Sequence, residues 1–317
     1  MTETFDLARA RVAAILNLKS GRGNGDGLGQ QLQDRLAPRC ASFRAVRVEK
    51  GQDLIRLATD LNTDHDLIIA AGGDGTQAAV AQALADAELP AVMGVIPGGT
   101  FNYFARDLNV GETPDEAIET LLNARVERVS VGDMNGKVFL NNISLGAYPE
   151  ILERRENFYK RWGRRRVLAY WATLRSLMDL RHPLLLTATV DGEERRFRTA
   201  LAFVAQSETQ LESFGLEAAD EVRRDRLPLF IAKAERALPL VGAALRLALG
   251  RMSRGEDFEL IVSDHFIIDT DRPTRHVAHD GERSRVPAPL KLSIRKDALR
   301  VLVPARAANP AAEGDPA

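Results

Sequence analysis

Residues 66–84, "DLIIAAGGDGTQAAVAQAL", decide the fold. The run "DLIIAA" is short and almost wholly apolar, as a strand buried on both faces would be. From Thr76 onward, apolar and small residues recur at helical spacing, so "TQAAVAQALADA" reads as a helix. Gly72, Gly73 and Gly75 surround one acid, Asp74, at the junction. A buried strand feeding a helix is half of a βαβ unit, and ligands of such sheets bind at the carboxyl ends of the strands. Asp74 lies at such an end.

The same alternation extends in both directions. "VAAILNL" (12–18), "SFRAVRV" (42–48) and "AVMGVIP" (91–97) read as further strands. "GLGQQLQDRLAPRC" (27–40), "QDLIRLATDL" (52–61) and "TPDEAIETLLNA" (113–124) read as helices, the last opened by a Thr113–Glu116 capping box. After about residue 125 strand-like pieces predominate, joined by turns such as "NGK" (135–137) and "DGEE" (191–194), with helical segments near 162–180 and 235–252. The expected architecture is two-domain. Residues 1–125 form an N-terminal α/β three-layer domain with a mostly parallel sheet, and 126–304 a C-terminal antiparallel β-sandwich. The Ala-, Pro- and Gly-rich tail 305–317 is expected to be disordered.

Composition narrows the partners. The chain has 317 residues with 43 basic and 44 acidic side chains, so its charge of -1 asks for no polyanion, and no nucleic-acid partner is expected. One cysteine, Cys40, excludes an internal disulfide, and no signal-like start or spanning apolar run is seen, so a cytoplasmic location follows as the default. Basic and aromatic residues nevertheless concentrate at 154–166 (Arg154, Arg155, Lys160, Arg161, Trp162, Arg164, Arg165, Arg166). That mixture suits peripheral contact with an anionic membrane. An RNA contact or an ordinary solvated helix face fits the same residues. The apolar segment 238–252 fits core packing, with a lipid-access wall or homodimer face as alternatives.

A glycine turn leading into a helix forms a cradle of N–H groups for phosphate oxygens. An acid there would repel phosphate unless it held a magnesium ion or oriented a donor, and a plain tight turn is the competing reading. Two more loops follow strands: "KSGRGNG" (19–25) and "PGGTFNYFARDL" (97–108). Neither matches a Walker loop or a dinucleotide fingerprint in the right setting. "HDGE" (279–282) puts Asp280 and Glu282 two positions apart, on one face if the segment is a strand, while Gly281 permits a turn. "DGE" also occurs at 191–193, so the tripeptide alone equally fits an exposed hairpin. His276 and His279 form no zinc spacing and read as surface or hydrogen-bonding residues.

Taken with "PGGTFNYFARDL", "FLNNISLGAY" (139–148), "RRRVLAYWATLRSL" (164–177) and "HDGERSRVPAPLKLSIRKDALRVLVP" (279–304), "GGDGT" resembles the bacterial diacylglycerol kinase and sphingosine kinase type of lipid kinase over residues 10–304. The resemblance implies an ATP-binding α/β domain, a β-sandwich domain and a cleft where a lipid hydroxyl meets the γ-phosphate. It assigns the nucleotide phosphates to Gly72, Gly73, Gly75 and Thr76 and aligns Asn17, Ser20 and Gly21 with the family's first loop; in the third loop Gly99, Thr100 and Asn102 are candidate phosphate or substrate contacts, and helix capping explains Thr100 equally well. Asp280 is the expected proton acceptor with Glu282 beside it, and Asp74 is expected to act through the magnesium that ATP carries. The expected reaction is ATP-dependent phosphorylation of diacylglycerol or a related lipid. The alternatives are an NAD kinase-like metabolite kinase and a non-catalytic lipid- or nucleotide-binding protein. This chain departs from the family at Leu18 (proline in the family), at Ala78 and Ala79 (asparagine and glutamate), and at Tyr103 (aspartate). It departs again at Arg224–Asp225–Arg226–Leu227, where some members hold a structural magnesium.

Overall fold

The computed structural model describes residues 3–17, 25–49, 51–146, 183–213, 215–234 and 257–305. Ser20, Gly21, the basic-aromatic run 154–166, the apolar segment 238–252 and nearly all of the tail lie outside the described residues. Ser130–Ala298 forms one compact unit; the chain up to Val129 and from Leu299 forms the other.

The first unit holds β1 (Glu3–Thr4), β2 (Arg11–Leu16), α1 (Gly25–Arg35), β3 (Ser42–Arg47), α2 (Leu54–Asn62), β4 (Leu67–Gly72), α3 (Asp74–Ala85), β5 (Val92–Pro97), α4 (Tyr103–Asp107), α5 (Pro114–Leu122) and the start of β6 (Ala124–Met134). Its parallel sheet runs β3-β2-β4-β5, with Val12 opposite Leu67 and Leu67 opposite Val92. β4 and β5 are buried along their whole length, as a parallel sheet covered on both faces requires. On one face Val12, Ala14, Leu67, Ile69 and Ile96 pack with Leu28, Leu32 and Leu36 from the α1 side and Ile118 and Leu121 from α5. α2 and α3 pack on each other and against β4. Local capping matches the sequence reading. Thr113 and Glu116 form the capping box, and the Thr113 and Glu112 N–H groups hold the Glu116 carboxyl below its ordinary pKa.

β6 carries the chain into the second unit, which continues with β7 (Lys137–Phe139), β8 (Asn142–Gly146), β9 (Leu184–Val190), β10 (Glu193–Thr199), β11 (Leu201–Ala205), α6 (Glu208–Ser213), α7 (Ala219–Arg223), β12 (Leu227–Ala232), β13 (Phe258–Ser263), β14 (His265–Thr270), β15 (Thr274–His279), β16 (Glu282–Pro287) and β17 (Leu290–Pro304). One antiparallel layer is ordered β13-β12-β11-β8-β15-β16, and the facing layer is ordered β10-β9-β14-β17. Alternation decides which side chains meet. Leu184, Leu186 and Ala188 of β9, Phe266 and Ile268 of β14, and Ile143, Leu145 and Val277 of the other layer form one core. The last part of β17 returns to the first unit, where Val301 lies opposite Met93 in parallel and Leu302 joins the core.

Candidate active site

In the first unit, the residues following β2, β4 and β5 touch one another. After β2, the Asn17 N–H donates to the Ala71 carbonyl at 2.9 Å and its Nδ2 to Thr76 Oγ1 at 3.0 Å. After β5, the Gly98 N–H donates to the Gly72 carbonyl at 2.9 Å. Asn102 adopts a left-handed conformation with φ 50°. Its side chain closes on Gly99, with Oδ1 accepting from the Gly99 N–H at 2.8 Å and Nδ2 donating to the Gly99 carbonyl at 3.2 Å. A Cβ on Gly99 would stand 2.8 Å from Gly73 Cα and 2.9 Å from Asn102 Oδ1, so only glycine permits this approach.

Asp74 is the first residue of α3, where the helix dipole favours an anion. Its Oδ2 accepts the Asn102 N–H at 3.1 Å. Of the roles open to it from sequence, orienting a donor is thus visible: the carboxylate ties the third loop to the glycine turn. Sequence reading overlooked Gln77, which is fully buried and donates from Nε2 to the same Gly72 carbonyl at 3.1 Å. The signal was an amide among small and apolar residues in the first turns of the helix, one of two glutamines there with Gln82, which spacing alone does not explain. Thr100 is exposed, and the residue preceding α4 as its cap is Asn102. Tyr103 is buried, and its ring stacks on exposed Phe101 with centroids 5.5 Å apart.

In the second unit, Asp280 and Gly281 form a two-residue hairpin between β15 and β16, at φ 46° and 81°. Asp280 and Glu282 therefore do not share a strand face, because the turn separates them. Asp280 is only 7% exposed. Its Oδ2 accepts the Leu140 N–H at 2.8 Å, and its Oδ1 accepts those of Asn141 at 2.7 Å and Asn142 at 3.2 Å. Glu282 is exposed. His276 is exposed and lies 2.8 Å from Arg283 Nη2 through Nδ1. His279 is no surface residue: it is 4% exposed, and neither ring nitrogen has a hydrogen-bond partner among the described residues. It shares the inward face with Val277, two residues back on β15. Burial, reinforced by the Lys137 charge, pushes its pKa down to about 4.

Arg224–Leu227 does not fit a structural magnesium. Arg223 contacts the carboxylates of Glu208 at 2.6 Å, Asp220 at 2.5 Å and Glu212 at 3.3 Å, while Glu221 faces Arg224 and Arg226. Among the described residues no three acidic, His or Cys side chains gather as a metal cage, and no helix is long and apolar enough to cross a membrane.

The first unit is thus a parallel sheet covered on both faces, with Asn17 and the residues after β4 and β5 in contact, and the second is an antiparallel sandwich. Residues 11–134 match the family model of the diacylglycerol kinase catalytic domain. The chain is 27% identical over 290 residues to a provisionally named lipid kinase of Staphylococcus haemolyticus, covering 87% of this chain and 90% of that one. It is 33% identical over 108 residues to a diacylglycerol kinase of Staphylococcus saprophyticus, covering 34% and 35%. In fold it is similar to a diacylglycerol kinase from Bacillus anthracis, with TM-score 0.71, 22% identity, and 92% and 96% of the two chains covered. A yeast NADH kinase complexed with NADH is a more distant likeness, at TM-score 0.52, 11% identity and 95% and 85% coverage.

Proposed function

We propose that this protein transfers the γ-phosphoryl group of ATP to a hydroxyl of diacylglycerol or a related lipid. The observation carrying the reading is the Asn17–Gly72–Gly99–Asn102 convergence, a side-chain-free cradle at a helix N-terminus locked by Asp74. The acceptor class is taken from the names of the relatives. Magnesium enters with the nucleotide, where it neutralises charge on the phosphate oxygens. This chain's residues do the rest. Gly73, Gly75 and Gly99 present backbone to the phosphates, and Asp74 fixes the third loop against them.

Between the two acids of "DGE", the geometry favours Glu282 as the group that takes the hydroxyl proton. The Asp280 oxygens receive three backbone N–H groups, whereas Glu282 projects to solvent from the same turn. Asp280 then serves by holding the turn in place. The basic-aromatic run 154–166 supplies peripheral contact with the anionic surface that delivers the acceptor. Incubating purified protein with labelled ATP, magnesium, NAD and anionic vesicles carrying a lipid panel tests the reading. Label is expected in a lipid. Label in NAD alone, or ATP binding without label in any acceptor, overturns it.

A further inference from the structure

We infer that Gln77 is a positioning residue for the phosphate cradle: its amide fixes the orientation of the Gly72–Gly73 peptide, so that the Gly73 N–H is offered to phosphate. The Gly72 carbonyl accepts twice, from the Gly98 N–H at 2.9 Å and from Gln77 Nε2 at 3.1 Å. A carbonyl oxygen has two lone pairs, and here both are taken. In a planar trans peptide the following N–H points opposite to the carbonyl. β4 lies between β2 and β5, so a Gly72 oxygen held toward Gly98 turns the Gly73 N–H to the other side, where Asn17 and the first loop follow β2.

A peptide between two glycines needs such a lock, because glycine takes positive and negative φ about equally readily and the unit reverses at little cost. Gly72 cannot be exchanged for a stiffer residue. A Cβ there would stand 2.7 Å from Thr76 Oγ1 and 3.1 Å from the Asn17 carbonyl oxygen. Reversal would put a carbonyl oxygen where the N–H stood, and an oxygen repels phosphate where an N–H binds it. Folding alone does not call for an amide at this position. Gln77 is fully buried, and its Oε1 has no hydrogen-bond partner among the described residues. An apolar side chain of the same size would leave no acceptor unmet. An amide that costs stability yet holds the backbone of the cradle is explained by binding. The inference rests on the reading of the glycine turn as a phosphate site.

The test compares wild type with Gln77→Met and Gln77→Leu, which keep the bulk of the side chain and remove the donor. Calorimetric titrations use magnesium-ADP and tripolyphosphate as probes. Both are expected to bind about tenfold more weakly to the variants, the loss of one hydrogen bond to a charged group, while thermal melts come at the wild-type temperature or above it. In turnover the loss should fall on KM for ATP, with kcat at saturation held. A merely structural amide gives the reverse pattern, lower melting temperatures with unchanged affinity. That result, or loss of folding in both variants, overturns the inference. If wild type binds neither probe, the kinase reading falls, and the Gly72–Gly73 peptide in crystals of Gln77→Met decides: a reversed peptide upholds the lock, and the wild-type orientation overturns it.

Discussion

The chain contains two Asp-Gly-Glu hairpins built to the same local plan. Asp191 and Gly192 lie at φ 50° and 83°, and Asp280 and Gly281 at 46° and 81°; each pair joins two antiparallel strands. Beyond the backbone the two diverge. Asp191 is exposed, and Val190 stands opposite Glu193. Asp280 is buried against three N–H groups about 140 residues away in sequence, and a buried histidine stands opposite Glu282. Local sequence writes the turn, whereas chemistry depends on what the rest of the fold brings to it.

The largest difference between the turns is expected in turnover. Glu282→Gln should lower kcat by about 100-fold or more with little change in ATP affinity, while Glu193→Gln leaves both unchanged. Equal effects would erase the distinction. In acid, the buried histidine should act on stability. An unfolded imidazole takes its proton near 6.5 and the folded one near 4. Above 6.5 both states are neutral there, so stability does not respond. Between 6.5 and 4 the unfolded state binds the proton first and stability falls as pH is lowered, by roughly 3 kcal/mol over the window. Denaturant melts at stepped pH should show that loss in wild type and not in His279→Val, which copies the Val190 arrangement.

Next in size, Asp280→Asn should cost about 2 kcal/mol, because an amide NH2 replaces an acceptor facing buried N–H donors. Asp191→Asn should stay within about 0.5 kcal/mol, since asparagine suits the same turn and the site is solvated. Equal melting temperatures for the two variants would break the contrast. The smallest effect should be the one the turns share. Gly281→Ala and Gly192→Ala each meet no atom within 4 Å and differ only in forcing alanine to positive φ, so each should cost about 1 kcal/mol. A gap between them in urea midpoints would show that tertiary contacts reach the turn backbone as well.

The fold was legible where one stretch of sequence carries its own pattern. β4 and β5 are apolar throughout because both faces are covered, and the Thr113–Glu116 box lies within four residues of chain. The glycine cradle was legible as three loops at three strand ends. Its locks were not: Asp74 meets Asn102 across 28 residues, and Gln77 reaches back to a carbonyl whose position depends on the neighbouring strand. Asp280 stood out in the sequence as a candidate, but its hydrogen-bond donors at Leu140–Asn142 could come only from strand order. His279 was misread because hairpin register, and not composition, decides whether a histidine faces water or core.

The path of the chain has a consequence for synthesis. β6 leaves the first unit at Val129 and β17 returns to it only from Leu299, so the sandwich is an insertion within the α/β unit. A ribosome delivers every strand of the inserted unit up to β16 before it delivers Leu302, which belongs to the core of the unit begun first. β5 must wait for its partner across some two hundred residues, the kind of long-range closure that slows folding. The glycine turn after β4 and the loop after β5 therefore sit in the unit whose strands precede the inserted sandwich along the chain and whose sheet is completed only after it.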